Sequence, residues 1–92
     1  MKWQVITSKK VQKQVQHLPP KIKDTLLFLI KELQEYGPVR GNWPNYSALG
    51  NNRHHCHLKK GKLTYVAVWM VLDKPTKLVE VMYVGTHENA PY

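Results

Sequence analysis

One cysteine in 92 residues excludes an internal disulfide and fits a reducing compartment. No apolar run is long enough to span a bilayer, and the first residues lack the apolar h-region of a signal peptide. The expected location is therefore the cytoplasm, with no membrane partner. Internal repeats, low-complexity tracts and linker-like stretches are missing too, which points to a single domain over residues 1–92 with one modest core. Acidic residues are scarce: six Asp and Glu stand against fourteen Lys and Arg, a net charge of +8. Residues 1–50 hold eight basic and three acidic side chains, and residues 51–92 hold six and three, so the excess is no tail effect. A solvated basic surface is one reading of that imbalance; nucleic acid or an acidic protein partner is the preferred one.

What is present gathers in the second half, which reads as three strands in succession. The first is Arg53-His-His-Cys-His-Leu-Lys59, the second runs from Lys62 to Val71, and the third from Lys77 to Gly85. Lys60-Gly61 and Asp73-Lys74-Pro75 are turn signals between them. Strands joined this tightly pair antiparallel, because a parallel return needs a dozen residues or more. The second strand is apolar on both faces, with Leu63, Tyr65, Ala67 and Trp69 opposite Thr64, Val66, Val68 and Met70, and so belongs in the sheet centre. In the first strand His54, Cys56 and Leu58 share one face, while Arg53, His55, His57 and Lys59 share the other. In the third, Val79, Val81 and Tyr83 alternate with Leu78, Glu80 and Met82, and continued alternation puts His87 on the Tyr83 face.

The first half supplies a short strand at residues 2–7, with Trp3 and Val5 on one face. Ser8 is the expected N-cap of a helix over residues 9–17, on which Val11, Val15 and Leu18 recur at helical spacing. Pro19-Pro20 ends it and opens a second helix, striped by Ile22, Leu26, Leu29, Ile30 and Leu33 and stopped by Gly37-Pro38. Such a hairpin needs a sheet to cover its apolar faces. Residues 38–52 are rich in turn formers and read as a loop with, at most, one helical turn. Arg40, Trp43 and Tyr46 are able to stack on bases there, but anchoring of the loop to the core by Trp43 and Leu49 is the preferred reading for Trp43.

The order strand, helical hairpin, loop and three antiparallel strands resembles the bacterial RelE/ParE toxin superfamily, in particular its RelE, HigB and YafQ ribonuclease branch. Cys56-His-Leu-Lys-Lys-Gly-Lys-Leu-Thr-Tyr65, Val84-Gly-Thr-His87 and the aromatic Tyr92 carry the resemblance. It implies an α+β fold in which an N-terminal strand and helical hairpin pack on a twisted antiparallel sheet whose other face is the active surface. It also implies a toxin that cleaves mRNA on the ribosome without a metal or other cofactor, inhibits translation, and is neutralised by a cognate antitoxin. The alternatives are a non-enzymatic ParE-like inhibitor of DNA gyrase and a generic RNA-binding module.

Metal-free cleavage of RNA uses the ribose 2′-OH against the adjacent phosphate. It needs a general base, a general acid for the departing 5′-oxygen, and cations for the charge that develops between. Histidine suits either proton role, its ordinary pKa being about 6.5. By resemblance, His57 occupies the strand-histidine position of YafQ-like members and His87 the histidine or arginine that follows the Gly-Thr pair. Tyr92 matches the C-terminal aromatic that stacks or abstracts a proton, and Lys62 the phosphate-binding arginine of RelE-like members. The acidic residue of the YafQ-like strand turn is absent, with Lys60-Gly61 in its place. Arg53, His55, Lys59 and Lys60 complete the expected RNA-binding set. His57 and His87 are expected to be exposed on the open face.

Rival readings of the same residues are weaker. Only His55 and His57 of the imidazole run share a face, and no second Cys/His pair stands nearby, so a metal site is not expected. Cys56 falls with Leu58 on the core face, where cysteine acts as a small hydrophobe. His54 reads as a satisfied core-edge histidine, and His17 as a helix C-terminal charge.

Overall fold

Trp3 and Val5 pack the first strand against the core from one edge of the sheet. The computed structural model describes residues 2–59 and 63–91 of the chain. Its elements in order are β1 (Gln4–Thr7), α1 (Lys9–Gln16), α2 (Pro20–Tyr36), β2 (Ser47–Gly50), β3 (Arg53–Lys59), β4 (Tyr65–Asp73), β5 (Leu78–Thr86) and a 3-10 turn at His87–Asn89. The five strands form one sheet in the order β1-β5-β4-β3-β2. The helical hairpin covers one face of it. This is the expected α+β architecture.

The helix boundaries follow from their caps. Ser8 accepts a hydrogen bond from the Val11 N–H at 3.2 Å, which satisfies one of the orphan donors of α1. Pro20 occupies the first turn of α2, where a missing N–H costs nothing. At the other end Gly37 has φ of +94°, and a Cβ there would lie 2.8 Å from the Trp3 indole nitrogen. Only glycine meets both demands.

The apolar stripes close on the sheet as their spacing requires. Val11, Ile22, Leu26, Leu29 and Leu33 pack against Cys56, Ala67, Trp69, Val79 and Val81. Trp69 is fully buried, and its indole N–H donates to the Pro38 carbonyl at 3.0 Å. Truncating a buried leucine such as Leu26 to alanine costs about 2–5 kcal/mol in cores of this kind.

Three local features depart from the sequence expectations. First, β1 pairs parallel with β5, Val5 opposite Val79, so the sheet is antiparallel only from β5 to β2. The long intervening chain removes the constraint that forces adjacent strands antiparallel. Second, residues 47–50 of the expected loop are a strand. Asn51 and Asn52, with φ of 52° and 62°, form a tight turn that pairs β2 with β3. Third, bulges interrupt the alternation. One between Val68 and Trp69 sets Tyr83 opposite Val68 while Val81 sits opposite Trp69, so Tyr83 and Val81 lie on opposite faces of β5. Another sets Lys59 opposite Tyr65 while His57 sits opposite Val66, which takes Lys59 off the His57 face.

Candidate active site

The face away from the helices is not open. Val66, Val68 and Tyr83 form a second small cluster there, covered by Leu49 from β2 and Ala90 from just beyond the 3-10 turn. His55 and His57 lie in this layer, only 8% and 9% exposed, while His87 at the rim is exposed. The expectation that His57 and His87 are both exposed holds for His87 and fails for His57. Leu49 from the added edge strand β2 and Ala90 from beyond β5 cover a surface that alternation alone leaves bare.

Each histidine is held by its neighbours, His55 through its ring and His57 and His87 through their backbone N–H groups. Ser47 faces His55 across the β2–β3 ladder, and its hydroxyl lies 3.1 Å from His55 Nδ1. The His57 N–H donates to the Pro44 carbonyl at 2.8 Å, so the loop before β2 completes the edge of β3. The His87 N–H donates to the Thr64 carbonyl at 2.8 Å, which ties the end of β5 to the start of β4. Just before it, the Tyr83 hydroxyl donates to the Thr86 carbonyl at 2.7 Å. The result is a row of three rings. His55 and His57 have centroids 6.1 Å apart, and His57 and His87 meet edge to face at 5.6 Å.

Burial disfavours the charged form of His55 and lowers its pKa, Ser47 opposes that shift, and the charge of His87 adds to it. A shallow depression lined by Leu63, Thr64, Thr86, His87 and Glu88 opens beside His87. Two imidazoles at contact distance, one sheltered and one at the surface, form an arrangement able to take and give protons at one bound group.

The remaining site expectations divide. Arg53 is half-buried at the start of β3, about 14 Å along the strand from His57 at ~3.4 Å per residue. Its Nε is buried without a hydrogen-bond partner among the described residues. Lys59 is exposed, beyond the bulge. Lys60, Lys62 and Tyr92, with the Lys60-Gly61 turn, lie outside the described residues.

His54 is a core-edge residue, as its face suggested. Its ring packs against both Tyr46 and Trp69, which also touch each other, the Tyr46 hydroxyl is 2.7 Å from Nδ1, and burial together with Lys74 lowers its pKa. The Cys56 thiol is fully buried, and desolvation, aided by Glu32, pushes its pKa up to about 12, which leaves no thiolate for nucleophilic chemistry.

Sequence reasoning missed Glu32, Ser47 and Tyr83. One carboxylate oxygen of Glu32 accepts from Arg40 at 3.0 Å, Asn42 at 3.2 Å and Trp43 at 3.0 Å. Burial alone raises the Glu32 pKa, but the bonds from Trp43, Asn42 and Arg40 bring it below the usual carboxylate value. Arg40 and Trp43 are thus committed to holding the loop, and Tyr46 is committed to His54. The Asn51-Asn52 turn signals a hairpin, but a regular two-residue loop there sets Ser47 opposite Cys56, and it is a bulge between Ala48 and Gly50 that brings Ser47 opposite His55.

No protein-family model and no curated protein matches the sequence. Solved structures do match. An arginine-to-alanine double variant of the E. coli toxin RelE in its free state superposes with a TM-score of 0.74 at 20% identity, covering 96% of this chain and 86% of the other. The archaeal RelE–RelB complex from Pyrococcus horikoshii OT3 gives a TM-score of 0.65 at 15% identity, covering 98% and 100%. The chain has the RelE fold. The likeness spans nearly the whole chain, sheet and helical hairpin together. Among the described residues no helix is long and apolar enough to cross a membrane.

Proposed function

We propose that this chain is the toxin of a bacterial type II toxin–antitoxin system, an endoribonuclease that cuts mRNA on the ribosome and stops translation in the cytoplasm. The observation that carries the reading is the His57–His87 contact on the sheet face opposite the helices of a RelE fold. Two solved structures of similar fold, a RelE toxin and a RelE–RelB complex, support the toxin role and an antitoxin partner.

In this reading one imidazole takes the proton of the ribose 2′-OH as its oxygen attacks the adjacent phosphorus. The other gives a proton to the departing 5′-oxygen, leaving a 2′,3′-cyclic phosphate and a free 5′-hydroxyl. Each proton transfer contributes about 10²–10⁴-fold. His55 packs beside His57 and backs the pair. Cations gather the negative charge of the phosphate, and Lys59, Lys60 and Lys62 around the β3–β4 connection are the residues proposed for it, with Arg53 further along the strand. Tyr92 is proposed to stack on the substrate or assist proton transfer. The chain works as one domain over residues 1–92 and uses no cofactor.

The test is addition of purified protein to a cell-free translation reaction, with primer extension on the message. The expected result is arrest of synthesis with new 5′ ends inside the coding region. Arrest without new ends, together with loss of gyrase supercoiling in a parallel assay, replaces this reading with the ParE-like one.

A further inference from the structure

The lysines of α1 lie apart from the histidine row. The helix reads Lys-Lys-Val-Gln-Lys-Gln-Val-Gln and contains no acidic residue. Lys9, Lys10 and Lys13 are exposed, and none of them takes part in a salt bridge among the described residues. A depression of about 480 Å³ runs along them and ends at Gln14 and His17. Residues 9 to 17 rise about 12 Å along a helix, so the cations form a track.

The track meets the proposed active site around an open sheet edge. β1 pairs with β5 only as far as Val81, so beyond it β5 has no strand on that side, and the Val84 N–H is satisfied by the Gln14 side chain at 3.0 Å. A second depression, about 370 Å³, crosses this edge between Gln14 and His17 on one side and Tyr65 and Thr86 on the other. Thr86 also lines the depression beside His87. Gln14 and His17 therefore join the lysine track to the edge crossing, and Thr86 joins the crossing to His87. A phosphodiester chain fits such a path: cations at one end, amide and hydroxyl donors at the crossing, and proton-transfer groups at the other.

We propose that single-stranded RNA flanking the cut site leaves His87, crosses the open edge of β5 and lies along Lys9, Lys10 and Lys13. The inference rests on the nuclease reading of the His57–His87 site for its direction, but the binding it asserts is measurable without cleavage. The probes are fluorescent 2′-O-methyl RNA 3-mers and 12-mers, which lack the nucleophilic hydroxyl, with binding followed by anisotropy across a salt series. The wild-type protein binds the 12-mer more tightly than the 3-mer. The variant carrying Lys9→Gln, Lys10→Gln and Lys13→Gln binds the 12-mer no better than the 3-mer. Its log-affinity against log-salt slope is shallower by about 2, since each phosphate contact on a single strand contributes about 0.7. A charge-matched control with Lys23→Gln, Lys31→Gln and Lys74→Gln keeps the length preference.

Equal 12-mer affinity and slope in the track variant and the wild type overturn the proposal, as does a wild type that binds the 12-mer no better than the 3-mer or binds neither. Loss of ribosome affinity by the track variant with unchanged 12-mer binding assigns the lysines to ribosomal RNA and also overturns the substrate path. If the length preference follows the lysines but the wild type cuts no message, the RNA track stands and the nuclease reading falls.

Discussion

Gly85 is small because Tyr83 lies over it. The two share the covered face of β5, and a Cβ at Gly85 would sit 2.6 Å from the Tyr83 hydroxyl and 3.0 Å from the ring carbon that bears it. That hydroxyl bonds to the Thr86 carbonyl, one residue before His87. Gly85→Ala is expected to push the ring aside, break the bond and release Thr86 and His87 from their place. The stability cost is about 1–3 kcal/mol, as for other overpacked sites, and cleavage should fall further than the folded fraction does. Tyr83→Phe, which loses only the hydrogen bond, should cost about 1 kcal/mol. Denaturant midpoints beside message-cleavage rates read both; a Gly85→Ala protein with wild-type stability and rate would contradict this account. The Gly-Thr-His motif was visible in the sequence. The reason for its glycine was not, because it depends on the face Tyr83 adopts, and a bulge in the neighbouring pairing sets that face.

At the scale of elements, the loop between α2 and β2 matters because it closes the edge of β3. Glu32 holds Arg40, Asn42 and Trp43, and the next residue, Pro44, accepts the His57 N–H. The Glu32–Arg40 pair is mostly shielded, with side chains 16% and 13% exposed, so removing one partner leaves a sheltered charge unpaired. Glu32→Ala is expected to cost about 2–3 kcal/mol and to lower cleavage through misplacement of His57. Thermal unfolding and the cleavage assay together check it, and an unchanged melting temperature would count against the anchor. Elements with strong local signals were legible: the Ser8 cap, the Pro20 start and the stripe of α2 sit where the spacing put them. The strand β2 was not, because Ser47–Gly50 is short and mostly exposed, and no apolar alternation marks it. Its pairing comes from the Asn51-Asn52 turn and the strand it meets.

For the whole molecule, the sheet divides two tasks between its faces. The helix side holds most of the core, and its apolar periodicity made that side readable from sequence. The other side carries the imidazole row under a thin cover, and the cover was not readable, because it joins segments far apart in the chain. One consequence concerns how the site is probed. His57 is buried, so truncation to alanine removes packing as well as chemistry, whereas His87 is exposed and its loss should change stability by no more than about 0.5 kcal/mol. The most direct test is the cleavage rate of ribosome-bound message by His57→Gln, His87→Ala and the double variant, each corrected for its folded fraction, with His54→Phe as the control. Losses of about 10²-fold or more are expected for either histidine, and a rate near wild type for the folded control. A folded double variant that cuts message at the wild-type rate would contradict the histidine assignment.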